Sequence, residues 1–416
     1  MHYKTLLTLI VILGCCDGAR ILAVVPTPAY SHQVAFHPLW KTLSQRGHKV
    51  TLITTDPIKD ASLSNLTQIN TSGLYEKIEN DSKNVIKSNS IIGLLTIITT
   101  IAEFHLSHPK VQGLIKNENE NFDVVIVEFV NPFVLAYGER FKCPIILVTS
   151  LQTFTWIDVI MGNPQHPAIY SDTAFEFDNE LTLYNRLCSV LYNIMMRLVY
   201  KFYIVPKQQV LVHKYFGENY PYIDDMAQNV SLVLTNSDVV FHKIKPLLPN
   251  IVQIGGPINT PTPSPLPKEV KGALDAAKKG FVYFSLGSNA KSKDLSKETI
   301  TILLETFAEL PYTVLWKFEE DNVLNKPDNV ITSKWLPQLN VLRHPNIKLF
   351  ITQGGLQSME EAIYSHIPMI GMPIFADQQY NVKEMSKRGF GLSINMKTLT
   401  KEELKEKVLE VINNPR

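Results

Sequence analysis

The sequence predicts an α/β protein of two doubly wound domains, and three observations carry that prediction. Short apolar runs of strand length alternate with helical stretches, starting with residues 19–26 (ARILAVVP), a loop at 27–31, a helix through 34–46 and a second run at 49–54. That order is a βαβ unit, whose crossover makes its strands parallel. Residues 256–267 (GPINTPTPSPLP) hold five prolines after Gly256 and no apolar periodicity, which reads as a stiff, extended linker. At 416 residues the chain is also long for one hydrophobic core. The boundaries that follow are 1–18 for a leader, 19–255 for a first domain, 256–270 for the linker and 271–416 for a second domain.

The remaining elements follow in order. Residues 122–127 (FDVVIV) and 144–149 (PIILVT) are strands around a helical stretch near 135–141, and short strands are expected at 231–235 and 252–254. Beyond the linker, residues 281–284 form a strand that runs into a turn at Leu286-Gly287-Ser288; a helix at 297–309 and strands at 313–317 and 330–332 lead to a loop carrying Trp335. Residues 349–352 are a buried strand, Gly354-Gly355 a sharp turn, and a helix should start near Ser358 with Glu360 and Glu361 in its first turn. A second apolar run at 367–375, broken by Pro368 and Pro373, ends just before Asp377 and Gln378. Two such domains would leave a cleft between facing strand ends, where a two-substrate transferase could work.

Composition sets outer limits. A hydrophobic fraction of 45% and a charged fraction of 19% describe a foldable globular chain. A net charge of +1 without a Lys/Arg cluster gives no reason to expect nucleic acid. Residues 1–18 combine one early lysine, an apolar run at 6–13 and small residues near Gly18, the pattern of a cleavable signal peptide. Sequons at Asn65, Asn70, Asn80 and Asn229 point the same way, to a glycoprotein of the secretory pathway. Cys15 and Cys16 would leave with the leader, so Cys143 and Cys188 remain as one bridge or two thiols. Residues 91–104 are apolar but shorter than the roughly 20 residues a membrane span needs, which leaves a buried or membrane-surface helix.

The chemistry gathers at the strand ends of the second domain. A helix N-terminus behind a glycine turn offers unpaired N–H groups and partial positive charge to a diphosphate. Glu361 could reach the hydroxyls of a ribose, Asp377 and Gln378 those of a sugar, and the Ser285–Ser288 turn could present Ser288 to the phosphates. A tryptophan held in a loop there can stack on a base. Each feature also has a plain structural reading, a βα turn or a surface pair; their order and spacing carry the weight. No GxxxxGK[ST] loop and no GxGxxG is present, so an ATPase or a dehydrogenase is not favoured, and no HExxH or CxxC pattern supports a metal.

The string FIT-Q-GG-x-x-S-x-x-E followed by IPMIGMPIFADQ resembles the signature of the UDP-glycosyltransferases, the family of the UDP-glucuronosyltransferases, and the QGGLQS form is similar to its insect members. The resemblance implies the GT-B fold, with Ser358 on the diphosphate beside Gly355, Glu361 on the ribose, and Asp377 with Gln378 on the donor sugar. Residues 335–338 (WLPQ) match the family's WxPQ element, which implies that Trp335 packs on uracil and that Gln338 bonds to the base or ribose. Gln353 stands where many members carry His; an amide can still donate to a phosphate but brings no charge. His344 in LRHP matches a common family feature and is read as structural. The family usually ends in a membrane helix with a basic tail, and by that comparison the chain reads as incomplete at its C-terminus.

Sugar transfer needs a base for the acceptor hydroxyl and a sink for the departing UDP. His32, in the loop after the first strand, is the candidate base, and His37, five residues on, its rival. Ser31-His32 stands fourteen residues before Arg46-Gly47-His48, the spacing at which members of the resembled family carry their catalytic His. Glu128, at the end of FDVVIVE, is the carboxylate that would orient it, one methylene longer than the Asp common there. The function expected is an inverting transfer, with no metal and no other cofactor, of a hexosyl group from a UDP-sugar, UDP-glucose before UDP-glucuronate, to a small lipophilic hydroxyl acceptor in the lumen of the endoplasmic reticulum. Phe129, Phe154, Trp156 and Met161 give the first domain an apolar cast, and none of them is assigned to the acceptor. A ligand-binding protein without catalysis and a UDP-sugar epimerase on the same fold are the alternatives.

Overall fold

The computed structural model describes residues 18–86, 91–172, 175, 177, 181–256, 265–288, 290–320, 323–375 and 377–414. The leader, apart from Gly18, and linker residues 257–264 lie outside the described residues. The first sheet holds β1 (Arg20–Val25), β2 (Lys49–Thr54), β3 (Leu66–Asn70), β4 (Val124–Glu128), β5 (Ile145–Thr149), β6 (Val230–Thr235) and β7 (Ile251–Gln253), in the order β3-β2-β1-β4-β5-β6-β7. The second holds β8 (Phe281–Ser285), β9 (Thr313–Lys317), β10 (Val330–Ser333), β11 (Ile347–Thr352), β12 (Met369–Gly371) and β13 (Gly391–Ser393), in the order β10-β9-β8-β11-β12-β13. Pairing is parallel from β3 through β6 in the first sheet and throughout the second. Renumbered from its own first strand, the second sheet runs 3-2-1-4-5-6, the dinucleotide-fold order, and the first runs the same way with a seventh strand added at its end; each reverses direction between its first and fourth strands. This is the architecture of the GT-B fold, two Rossmann-like domains.

The strands read as they do because helices cover both faces of a parallel sheet, so apolar runs need not alternate with polar residues. All five residues of β8, FVYFS, are buried. In the first sheet Ile21, Ala23 and Val25 of β1 pack with Phe36, Trp40 and Leu52. In the second, Trp316 is fully buried among Phe284, Phe307 and Phe318, with ring centroids 5.3, 5.7 and 5.1 Å away. The chain divides into two compact units: residues up to Asn163 with Met196–Thr235 and Leu247–Val252, and Pro164–Met195 with Asn236–Pro246 and everything from Gln253 onward.

Several elements differ from the sequence reading. The helix expected through 34–46 is two, α1 (Tyr30–Val34) and a second at His37–Gln45, because Pro38 has no N–H to bond back into the preceding turn. The apolar run at 367–375 yields only the three residues of β12, for the same reason at Pro368 and Pro373. The sequence reading placed no strand at β3 or β13, whose residues are largely half-buried or exposed and so carry no apolar run. The apolar stretch near 91–104 is a helix, Ile91–Ser107, with Ile98, Ile101, Ala102 and Leu106 buried in the first unit, so it is a core helix. Cys143 and Cys188 are unbridged thiols, and burial pushes the Cys143 thiol up to about 11.

Candidate active site

In the first sheet the chain reverses between β1 and β4, and the residues just past these strand ends converge. The loop after β1 is pinned by Gln33, whose buried amide donates to the carbonyls of Val25 (3.0 Å) and Thr27 (2.7 Å) and accepts from the Thr54 hydroxyl (2.6 Å). That clamp fixes α1 and with it His32. The His32 Nδ1 lies 2.5 Å from Glu128 Oε1 and 2.9 Å from Ser150 Oγ. Glu128 ends β4 and is fully buried, and its Oε2 has no hydrogen-bond partner among the described residues. Beside a buried carboxylate the favoured tautomer carries the proton on Nδ1 and leaves the Nε2 lone pair to act as a base. The imidazole keeps about a fifth of its side chain exposed. His37 is occupied differently: its Nε2 bonds the Asp56 carbonyl at 3.2 Å, and burial lowers its pKa to about 4.

In the second sheet the reversal lies between β8 and β11, and two turns meet there. Gly287, in the turn after β8, has φ +78°, and a Cβ on it would stand 2.2 Å from Gln353 Nε2. Only a glycine permits the Gln353 amide to pack against this turn. Ser288 follows, half-buried. Lys317, at the end of β9 and nearly buried, donates to the Gly287 carbonyl at 2.9 Å, pairs with Glu319 at 2.9 Å, and lies 5.7 Å from the Trp335 ring centroid. Trp335 itself is half exposed.

After β11, Gly354 takes φ +84° and Gly355 forms the N-cap of α2 (Leu356–Tyr364), where no side chain caps the helix. A helix N-terminus behind a glycine turn carries partial positive charge, which suits an anion. The helix starts two residues before the expected Ser358, so Ser358 lies in the first turn and Glu360 and Glu361 in the second. Gln338 fastens this turn: its Nε2 donates to Ser358 Oγ at 2.9 Å and to Glu361 Oε2 at 2.7 Å. Burial raises the pKa of Glu361, against the hydrogen bond from Gln338.

Asp377 and Gln378 open α3 (Gln378–Lys387). Asn381 Nδ2 bonds both Asp377 Oδ2 (2.7 Å) and the Gly354 carbonyl (3.0 Å), tying this turn to the glycine turn. Gln378 Oε1 accepts from the N–H groups of Ile374 (2.9 Å) and Phe375 (3.0 Å), so its oxygen holds the loop and its NH₂ remains the group that can serve a ligand. His344 bonds Asp275 at 3.1 Å and accepts from the Asn346 N–H at 3.2 Å, a structural arrangement. Of the apolar residues of the first domain, Phe129 is fully buried and Trp156 stacks on Tyr200 at 5.6 Å, as core.

The structure thus joins His32 to Glu128, Gln338 to Ser358 and Glu361, and Gln353 to the Gly287 turn. Sequence reasoning missed Ser150, Lys317 and Asn381. Ser150 and Lys317 stand at or just past the carboxyl end of a strand, and Asn381 follows the Asp377-Gln378 pair already singled out, which was the only signal available. Among the described residues no group of three His, Cys, Asp or Glu is placed to hold a metal ion.

Comparison with known proteins places this arrangement. Among solved structures the glycosyltransferase of kitacinnamycin shares the fold at 17% identity (TM-score 0.62, covering 95% of this chain and 91% of that one), as does the spinosyn forosaminyltransferase at 15% (TM-score 0.62, 95% and 91%). A UDP-glycosyltransferase of Dactylopius coccus is 31% identical over 100% of this chain and 81% of its own, and a UDP-glucosyltransferase of the same insect is 32% identical over 97% and 79%. An ecdysteroid UDP-glucosyltransferase of the Spodoptera littoralis nuclear polyhedrosis virus is 29% identical over 96% and 82%. The family description UDP-glucoronosyl and UDP-glucosyl transferase matches residues 20–416, and the chain belongs to that family of glycosyltransferases.

Proposed function

We propose that the chain transfers glucose from UDP-glucose, with inversion and without a metal ion, to the hydroxyl of a small lipophilic acceptor. The observation that carries this reading is the contact of His32 Nδ1 with the buried Glu128 carboxylate at 2.5 Å. His32 Nε2 takes the acceptor proton, and Glu128 stabilises the imidazolium that results. The acceptor oxygen attacks the anomeric carbon from the side opposite UDP. The departing diphosphate is received by the uncapped N-terminus of α2, with Ser358, Gly355, Ser288 and the Gln353 amide as donors. Trp335 stacks on uracil, Gln338 and Glu361 take the base and ribose, and Asp377 with the Gln378 NH₂ holds the sugar hydroxyls. An aspartate in that position favours a neutral hexose over a hexuronate, whose carboxylate it would repel, and two of the relatives described above are named as UDP-glucosyltransferases.

The leader pattern and the sequons support a glycoprotein of the endoplasmic reticulum lumen, and the lipophilic acceptor supports a role in detoxification. The test is a coupled assay of UDP release with a phenolic acceptor, from UDP-glucose and UDP-glucuronate, with the anomeric configuration of the product read by NMR. Faster turnover of UDP-glucose, a β-linked product from the α-linked donor and rates unchanged by chelator are expected. A retained anomer, loss of activity with chelator, or preference for UDP-glucuronate would each overturn the corresponding part of the proposal.

A further inference from the structure

Helical residues run unbroken from Leu183 to Phe216, through a helix at Leu183–Val199, a π-helical turn at Tyr200–Ile204 and a helix at Val205–Phe216, 34 residues in all. One stripe of it, Ser189, Met196, Tyr200 and Ile204, is buried against the fold. The opposite stripe is also apolar: Leu187, Leu191, Ile194, Leu198 and Phe202 are 55, 57, 49, 51 and 70% exposed. Large side chains at this spacing on one exposed face form a continuous patch, which a soluble surface rarely leaves uncovered.

The polar residues of the same face decide what covers it. Every exposed position from Leu183 to Lys214 is apolar, aromatic or basic, and the whole helical stretch contains Arg186, Arg197, Lys201, Lys207 and Lys214 but no Asp or Glu. Two copies meeting through this face would bring like charges together, which disfavours a self-association. A span across a bilayer would place Arg197 or Lys201 near its centre, and the C-terminal part of the helix is already used, with Gln208, Gln209, Leu211 and Val212 buried in the first unit. An apolar face rimmed with Arg and Lys is instead the composition of a helix that lies in the interface of an anionic membrane.

A second surface of like character lies in the second unit. Ile169, Leu181, Val239 and Ile244, with Lys243 and Arg388, line a groove of about 360 Å³ in the second unit. Ile169, Val239 and Ile244 are themselves exposed. We propose that Leu183–Tyr203 is a membrane-docking helix that seats its exposed apolar face among the lipids of an anionic bilayer, with Arg186, Arg197 and Lys201 on the headgroups. The inference is independent of which sugar or acceptor the chain uses.

The test uses the full chain in vesicle flotation, with phosphatidylcholine vesicles and with vesicles in which part of that lipid is replaced by phosphatidylserine. Wild type should float with the anionic vesicles and do so less at high salt. Leu187→Glu/Leu191→Glu/Leu198→Glu changes only exposed positions, and its fold is checked by circular dichroism; it should lose at least about tenfold in partitioning. Arg197→Gln/Lys201→Gln should lose about fivefold for each charge removed, on anionic vesicles only. Equal flotation of wild type and the triple variant overturns the proposal, since the helix face then contributes nothing to binding. It is equally overturned by a wild type that ignores both vesicles, or by sedimentation showing a dimer that the triple variant dissociates without any effect on vesicles.

Discussion

Gly287 and Gln353 show how one residue constrains another in this fold. The backbone at Gly287 is left-handed, and the Gln353 amide occupies the space a side chain would need. Gly287→Ala should therefore cost about 1–3 kcal/mol through backbone strain and displace Gln353 from the position proposed to meet the diphosphate. Thermal unfolding measures the first effect and the KM for the UDP-sugar the second; an alanine variant with wild-type melting temperature and KM would contradict the packing described. The glycine turn and Gln353 were legible in the sequence, because a turn behind a buried strand has few other readings. Lys317 was not: a lysine at the end of an apolar run looks like a surface residue until the Gly287 carbonyl and Glu319 are seen around it. Ser150 was missed for a similar reason, since a serine after a strand carries no signal until the fold sets β5 beside β4.

At the scale of elements, α2 is fastened at both ends of the site. Gln338 holds its first turns, and on another face the buried Glu360 accepts from Asn236 Nδ2 at 3.2 Å. Burial raises the Glu360 pKa from 4.5 to about 7, with Asp238 adding to the effect. Between those two values the folded chain keeps a proton that the unfolded chain gives up, so stability falls as pH rises through the window and the full cost is present above it. Glu360→Gln removes the titration and should stabilise the protein by up to about 3 kcal/mol at pH 8 with little change at pH 4.5. Melting temperatures of both proteins across that range would show it, and parallel curves would contradict it. Most strands were legible as apolar runs, because parallel strands are buried on both faces. The edge strands β3 and β13 and the break before Pro38 were not, since half-exposed strands lose that signature and a proline shifts a helix start by local sterics.

For the whole molecule, two sheets with the same strand order place their chemistry by the same rule: His32 and Glu128 lie where the first sheet reverses, and the Gly287 and Gly354-Gly355 turns where the second does. That rule made the site regions legible from strand order alone, while the hydrogen bonds that join their residues, such as Gln338 to Glu361, depend on packing that no spacing records. The central claim is that His32, held by Glu128, is the base for transfer. The most direct measurement is acceptor-dependent UDP release from UDP-glucose by wild type, His32→Ala and Glu128→Gln, alongside UDP binding by calorimetry. The account predicts a loss of about 10²–10⁴-fold in kcat for His32→Ala and a smaller loss for Glu128→Gln, with UDP affinity unchanged in both. Turnover by His32→Ala at the wild-type rate would contradict it.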